Sequence, residues 1–409
     1  MTDRAGAAPR RRFRNDLLPF QVLMGVTAGG IGGIVTVLGE LRDQLGFSGT
    51  GIGVMVASGF VAAFVSQITL ARMADMGHAR MMATVGIGLS AAAMLMMVFA
   101  HDLSVWVLSR AVLGFGGGLI LPGVRRAASV HDPARAGENL GRMVVAETTG
   151  FIFGPVLTAL LVGVGGIRTP FAVFAGAMLL FVPVAVRLPP DRGLLDVSRR
   201  ATSFDLLFLR RLQGALIMVG GYFMVIGAWE AVLPVMFADR GAGAAETGIA
   251  FTVVALPIML VGRRAGRLAD RVGPVRVTMT GLVVVSFLTM TYGVIPGVVP
   301  IVAAMVLVGF GDGYGFTAAH AVVARAVPEQ RQAAALGLMG AAEVAGAGAA
   351  ALPAAWLYDS FGPGPTWAAV GLTVLTLVVA GWLRIRGTVP ASGPDAPAAP
   401  EASDAPGDA

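Results

Sequence analysis

Long apolar stretches, each separated from the next by a short polar break, recur along the whole chain. They fall near 17–39, 51–71, 81–100, 104–124, 140–162, 169–188, 211–237, 247–264, 276–295, 299–323, 335–357 and 365–384. Crossing the hydrocarbon core of a bilayer takes about 20 helical residues, and the runs are close to that length. A helix on a soluble protein shows a polar face every third or fourth position, and these runs lack one. The pattern predicts an all-α membrane protein with twelve transmembrane helices.

Composition agrees with this. The chain is 56% hydrophobic and 13% charged, with mean hydropathy +0.77, against roughly 25% charged in soluble domains. All thirty basic residues are arginines. An even number of spans puts both termini on one side. Placing them in the cytoplasm leaves Arg42, Arg168 and Arg240 outside and Arg110 within a span; every other arginine then lies inside or at the inner boundary. That asymmetry is what the positive-inside rule requires, so the pI near 10.8 reports topology and no nucleic-acid partner is expected. Arg10, Arg11, Arg12 and Arg14 precede the first run. That run is too long for a cleaved leader and lacks a small-residue cleavage site, so it is expected to remain as the first span. The absence of cysteine excludes disulfides and thiolate metal sites. His78, His101, His131 and His320 are scattered without metal-ligand spacing. Neither a metal, a cofactor nor an enzymatic activity is expected.

The runs divide six and six. Residues 1–16 form a basic N-terminus, 17–188 an N-terminal six-helix bundle, 189–210 a polar linker, 211–384 a C-terminal six-helix bundle, and 385–409 a tail rich in Ala, Pro, Gly and Asp, expected to be disordered. The two bundles repeat each other. Gly141, Glu147 and Gly150 superimpose without a gap on Gly337, Glu343 and Gly346. The loop after the second run (Ala71 to Arg80) aligns with the loop after the eighth (Gly266 to Arg276), and Gly114, Gly116 and Gly118 align with Gly309, Gly311 and Gly313. Three matches at offsets of 195 or 196 positions mark an internal duplication, so the two bundles are predicted to be pseudo-symmetric. Duplicated membrane halves are the mark of secondary transporters.

These motifs give the chain a resemblance, over nearly its whole length, to the major facilitator superfamily. The loop after the second span is similar to the family's G-x-x-x-D-x-x-G-x-R signature, with Asp75 and Arg80 in place, Ala71 replacing the first glycine, and the second glycine one residue early at Gly77. The second copy keeps Gly266, Asp270 and Gly273 in register, while its arginine slips to Arg276. Arg110, Gly114 and Gly116 resemble the arginine–glycine motif of the fourth span. Gly150, Gly154 and Pro155 resemble the motif of the drug/proton antiporter branch, although Thr158 and Ala159 stand where a glycine pair is usual and the second copy carries Ala350 and Ala351. The resemblance implies twelve helices in two rocking bundles, with spans 1, 4, 7 and 10 around a central cavity and the protein acting as a monomer.

Ionisable groups inside spans are costly and read by default as functional. Glu147, Gly150, Phe151 and Gly154 share one helix face, and Glu343 is the duplicate of Glu147. Asp312 lies near the centre of span 10, with Phe316 and His320 following on its face; Glu230 lies in span 7 beside Trp229, with Phe223 and Ile226 on its own face. Burial disfavours the charged form of a carboxyl, so such a group can load a proton on one side and release it on the other. Glu147, Asp312, Glu343 and Arg110 are therefore the candidates for proton coupling. Glu230, Trp229, Phe316 and Phe223 are the candidates for substrate contact. Asp75, Arg80, Asp270 and Arg276 are candidate gating loops, in which each carboxylate accepts from a neighbouring helix start or from the arginine of its own loop. Glycines four apart at Gly150 and Gly154 let another helix approach, and Pro155 frees a carbonyl. Trp106, Trp356, Trp367 and Trp382 fall near span ends, as interfacial anchors do.

The resulting expectation is a proton-coupled antiporter of the bacterial inner membrane that exports a small amphipathic compound or drug. Its partners would be that substrate, protons and the lipid bilayer. A proton symporter or facilitator importing a small metabolite is the alternative. A non-transporting membrane sensor is a third reading, and it would be expected to have lost the intramembrane acids that this chain retains.

Overall fold

The computed structural model describes residues 18–70, 73–131, 135–187 and 203–388. The N-terminal basic segment, most of the linker and all but the first residues of the C-terminal tail lie outside the described residues, as do Ala71 and Arg72 of the first loop. No strand occurs among the described residues. Twelve helices are long and apolar enough to span a membrane: α1 (Leu18–Leu45), α2 (Gly49–Leu70), α3 (Met76–Phe99), α4 (Leu103–Ala128), α5 (Glu138–Gly165), α6 (Thr169–Val186), α7 (Arg210–Ala238), α8 (Ala244–Val272), α9 (Pro274–Thr291), α10 (Val298–Ala324), α11 (Ala334–Phe361) and α12 (Pro363–Ile385). In hydrocarbon every backbone N–H and C=O must be satisfied within its own segment, which is why uniformly apolar runs become helices. The first span is not regular throughout: a 3-10 turn at Ile34–Val37 joins its two helical parts.

Packing repeats the duplication. Within the first six helices α1 packs on α5 and α6, α2 on α4, and α3 on α4 and α6; within the second six, α7 packs on α11 and α12, α8 on α10, and α9 on α10 and α12. Two seams join the halves, α2 with α11 and α5 with α8, and the duplication exchanges one for the other. Glycines explain the closest packing within each half. A methyl group on Gly150 of α5 would run into the carbonyl of Gly25 in α1, and its duplicate Gly346 of α11 meets Gly220 of α7 in the same way. Backbone therefore lies on backbone at both places.

Two tryptophans depart from the interfacial expectation. Trp106 is 2% exposed and stacks edge-on against Phe171 of α6 (5.3 Å). Trp367 is fully buried, with its indole N–H directed at the Met236 sulfur. Both lie at helix starts, but on the inner faces, where the volume of the ring fills the bundle. Trp356 is half exposed and Trp382 carries Arg386 over its ring at 5.4 Å; these two are on the surface.

Candidate functional site

Toward the arginine-poor end, seven to eight residues inside α4 and α7, an ion pair ties the halves together. Arg110 of α4 donates from Nη2 to Oε2 of Glu230 in α7 at 2.8 Å, and both side chains are largely buried (6% and 13% exposed). The arginine–glycine spacing explains its position. Gly114, one turn further along α4, sits directly on Gly59 of α2, and a methyl on Gly59 would stand 3.0 Å from the Arg110 side chain. The absence of side chains there leaves the space the guanidinium occupies.

Two turns from Glu230 along α7, an aromatic group gathers within the second half. Tyr222, Phe223 and Phe316 contact one another at ring-centroid distances of 5.3–5.6 Å, and His320 stacks edge-on against Phe316 at 4.7 Å while facing the Phe316 carbonyl at 3.0 Å. Asp312 is 2% exposed and lies beside Tyr222, and its Oδ1 has no hydrogen-bond partner among the described residues. Tyr292, just past the end of α9, lies near Asp312 with a hydroxyl that also lacks a partner. Trp229 is placed differently from Phe223 and Glu230: it is 5% exposed and turned onto Tyr292 (6.2 Å), inside the second bundle. Trp229 therefore backs the Asp312 pocket, while Phe223 and Phe316 keep partial exposure.

The duplicated glutamates meet at the arginine-rich end. Glu147 accepts from Arg125 of α4 at 3.1 Å with about a third of its side chain exposed (31%). Glu343 of α11 lies within electrostatic reach of both Arg125 and Glu147, so the paired Arg125 and Glu147 of the first half act on a carboxyl of the second. Arg125, Tyr222 and Tyr292 were not among the residues expected at the site from the sequence.

In the loops, the second copy pairs Asp270 with Arg325, from the end of α10, at 2.8 Å. Neither Arg276 nor Arg80 makes a polar contact with a described residue. The backbone turns at a left-handed glycine in both copies, Gly77 (φ 90°) and Gly273 (φ 93°). The one-residue offset of Gly77 is absorbed by a wide helical turn at Ala74–His78. At Gly154 a methyl would strike Gly29 of α1, and the carbonyl of Pro155 accepts the Thr36 hydroxyl at 3.2 Å. The helix that approaches the antiporter-like glycines is thus α1.

At the arginine-poor end the halves are latched by helix caps. Glu40 of α1 accepts the N–H of Ala244 at the start of α8 (2.8 Å), and Asp359 of α11 accepts the N–H and hydroxyl of Thr50 at the start of α2 (2.6 and 2.7 Å). A carboxylate at a helix N-terminus is favoured by the unpaired N–H groups and the dipole. Arg42 adds an ion pair to Asp239 (2.7 Å), which also accepts from the Tyr358 hydroxyl (2.7 Å). Burial pushes the Asp239 carboxyl up, but hydrogen bonds from Arg42 and Tyr358 outweigh it and hold the group below the usual carboxylate range.

Comparison with known proteins gives a consistent picture. A family model described as Major Facilitator Superfamily matches residues 22–238 and 214–406. An uncharacterised MFS-type transporter of Methanocaldococcus jannaschii is 22% identical over 319 residues, 76% of this chain and 82% of that protein. The quinolone resistance protein NorA of Staphylococcus aureus is 30% identical over 150 residues, 36% of this chain and 38% of NorA. Among solved structures, the nucleoside transporter NupG superimposes with TM-score 0.73 at 16% identity, covering 91% of this chain and all of that one. A bacterial homologue of the lysosomal transporter Spinster, solved inward-facing and unoccupied, gives 0.72 at 13% identity, covering 92% and 95%. At these identities the structural matches speak for the fold.

Proposed function

The chain belongs to the Major Facilitator Superfamily of membrane transporters, and from that premise we propose that it is a proton-coupled antiporter exporting a small amphipathic compound. The observation that carries this reading is the buried Arg110–Glu230 pair between the halves. Removing one partner of such a pair leaves an uncompensated buried charge. Protonation of Glu230, or its capture by a cationic substrate, therefore changes how strongly the two halves hold together. Phe223, two turns from Glu230 on α7, packs with Tyr222 and Phe316, and this group would supply the apolar surface an amphipathic substrate needs. Asp312, Glu147 and Glu343 are the further carboxyls through which a proton would pass, with Arg125 paired to Glu147 and within electrostatic reach of Glu343.

The arginine-rich end is assigned to the cytoplasm of a bacterial plasma membrane by the positive-inside rule. Cap contacts then close the outer end, while Glu147, Glu343 and His320 keep solvent exposure at the inner one, which corresponds to an inward-accessible state. The stretch of similarity to a quinolone resistance protein supports export of a drug-like compound. Everted membrane vesicles energised acid-inside test this directly. Uptake of a lipophilic cation such as ethidium is expected, abolished by a protonophore and by Glu230→Gln. Gradient-driven accumulation of a nucleoside or peptide in right-side-out vesicles, with no cation movement in everted ones, would instead establish an importer.

A further inference from the structure

One face of α8 carries chemistry that transport leaves unused. Arg264, Arg267 and Arg271 recur at helical spacing over its last turns, and with Leu268 and Tyr314 of α10 they line a groove of about 350 Å3. All three arginines are exposed. None has a hydrogen-bond or ion-pair partner among the described residues, and the adjacent acid, Asp270, is held by Arg325 at 2.8 Å. Like charges three and four residues apart on a helix repel, so this cluster calls for an anion.

The walls of the groove say which kind. Up the same faces the side chains turn apolar and stay exposed: Leu256 (40%) and Leu260 (70%) on α8, Leu307 (55%) and Phe310 (41%) on α10. Leu260 precedes Arg264 by one turn, and Phe310 precedes Tyr314 by one turn. The two helices are drawn together by Gly309 and Gly313, which lie against Val254, Pro257 and Val261. α8 has 29 residues, about 43 Å at 1.5 Å per residue, longer than a hydrocarbon core of about 30 Å. Its arginine turns thus emerge at headgroup level, where a tyrosine is also at home. A soluble anion would use only the charged end of this groove; a phospholipid uses both ends.

We propose that the groove between α8 and α10 binds an anionic phospholipid, its phosphate among Arg264, Arg267 and Arg271 and its acyl chains along Leu256, Leu260, Leu307 and Phe310. Basic pockets between spanning helices suit such headgroups, and each arginine near an anionic surface is worth about a five-fold change in association.

Native mass spectrometry of the full-length protein titrated with phosphatidylglycerol tests this. Phosphatidylglycerol is expected to be retained far better than phosphatidylcholine. Arg267→Gln should weaken it about five-fold and the triple Arg264→Gln/Arg267→Gln/Arg271→Gln about a hundred-fold. The triple lysine replacement should stay within a few-fold of the parent, and Arg263→Gln, outside the groove lining, should change nothing. Millimolar inorganic phosphate or glycerol 3-phosphate should not displace the lipid. Equal retention of the two lipids overturns the proposal, as does unchanged binding in both the single and triple glutamine variants. Displacement by free phosphate makes this a soluble-anion site and overturns the lipid assignment. The single variant keeps the test decisive if the triple one does not fold.

Discussion

A buried guanidinium and a buried carboxylate at 2.8 Å stabilise each other only while both are present. Arg110→Ala strands the Glu230 charge, at a cost of about 3–5 kcal/mol, and is expected to lower the thermal unfolding midpoint in detergent. Replacing both with leucine should recover most of that loss, since an apolar pair of similar volume replaces a buried ion pair at little cost, yet transport should stay absent. A double variant as unstable as Arg110→Ala would mean that the pair is not an energetic unit. Both members were legible in the sequence as charges at depth, but their pairing was not, because they lie 120 positions apart in different bundles. The tyrosines held an overlooked signal. The chain has 21 phenylalanines and only four tyrosines, and each tyrosine meets a polar site: Tyr222 and Tyr292 at Asp312, Tyr358 at Asp239, Tyr314 among the arginines. A hydroxyl in an apolar interior is placed where polar groups are, so a rare tyrosine among phenylalanines points to a polar neighbourhood.

At the scale of the helix, hydropathy alone located all twelve spans, to within a few residues at most ends. It failed where a helix outlasts its apolar run. α8 was expected to stop near 264 and continues to Val272, because its last two turns carry arginines at the membrane surface and no hydrophobic signal marks them. Equally invisible were the cross-half caps, since nothing local relates Glu40 to Ala244 or Asp359 to Thr50. Caps of this kind are worth about 1 kcal/mol each. Glu40→Ala combined with Asp359→Ala should therefore shift the balance away from the outer-closed state by about 30-fold. The chain has no cysteine, so a single Thr36→Cys, at a position 2% exposed in this state, reports the change. Its labelling by a membrane-impermeant maleimide should rise in the double cap variant, and an unchanged rate would show that the caps do not hold the end closed.

For the whole molecule, the duplication is what makes alternation possible: the α2–α11 and α5–α8 seams are exchanged by the internal symmetry, so each can open at one end while holding at the other. The outer latch should not itself be the pH sensor. The folded-state pKa of Asp239 is depressed, so its contribution is present above the ordinary carboxylate value of about 3.9 and is lost only as pH falls through the lower folded value. With the coupling carboxyls removed by Glu230→Gln and Asp312→Asn, Thr36→Cys labelling is expected to be flat from pH 8 to 5; a rise within that window would place titration in the latch. The coupling itself is tested most directly in proteoliposomes holding a pH dye, with the interior made acidic and lipophilic cations added outside. Substrate-triggered proton efflux that disappears in Glu230→Gln is the expected result. A substrate that crosses at the parent rate without moving protons would contradict antiport.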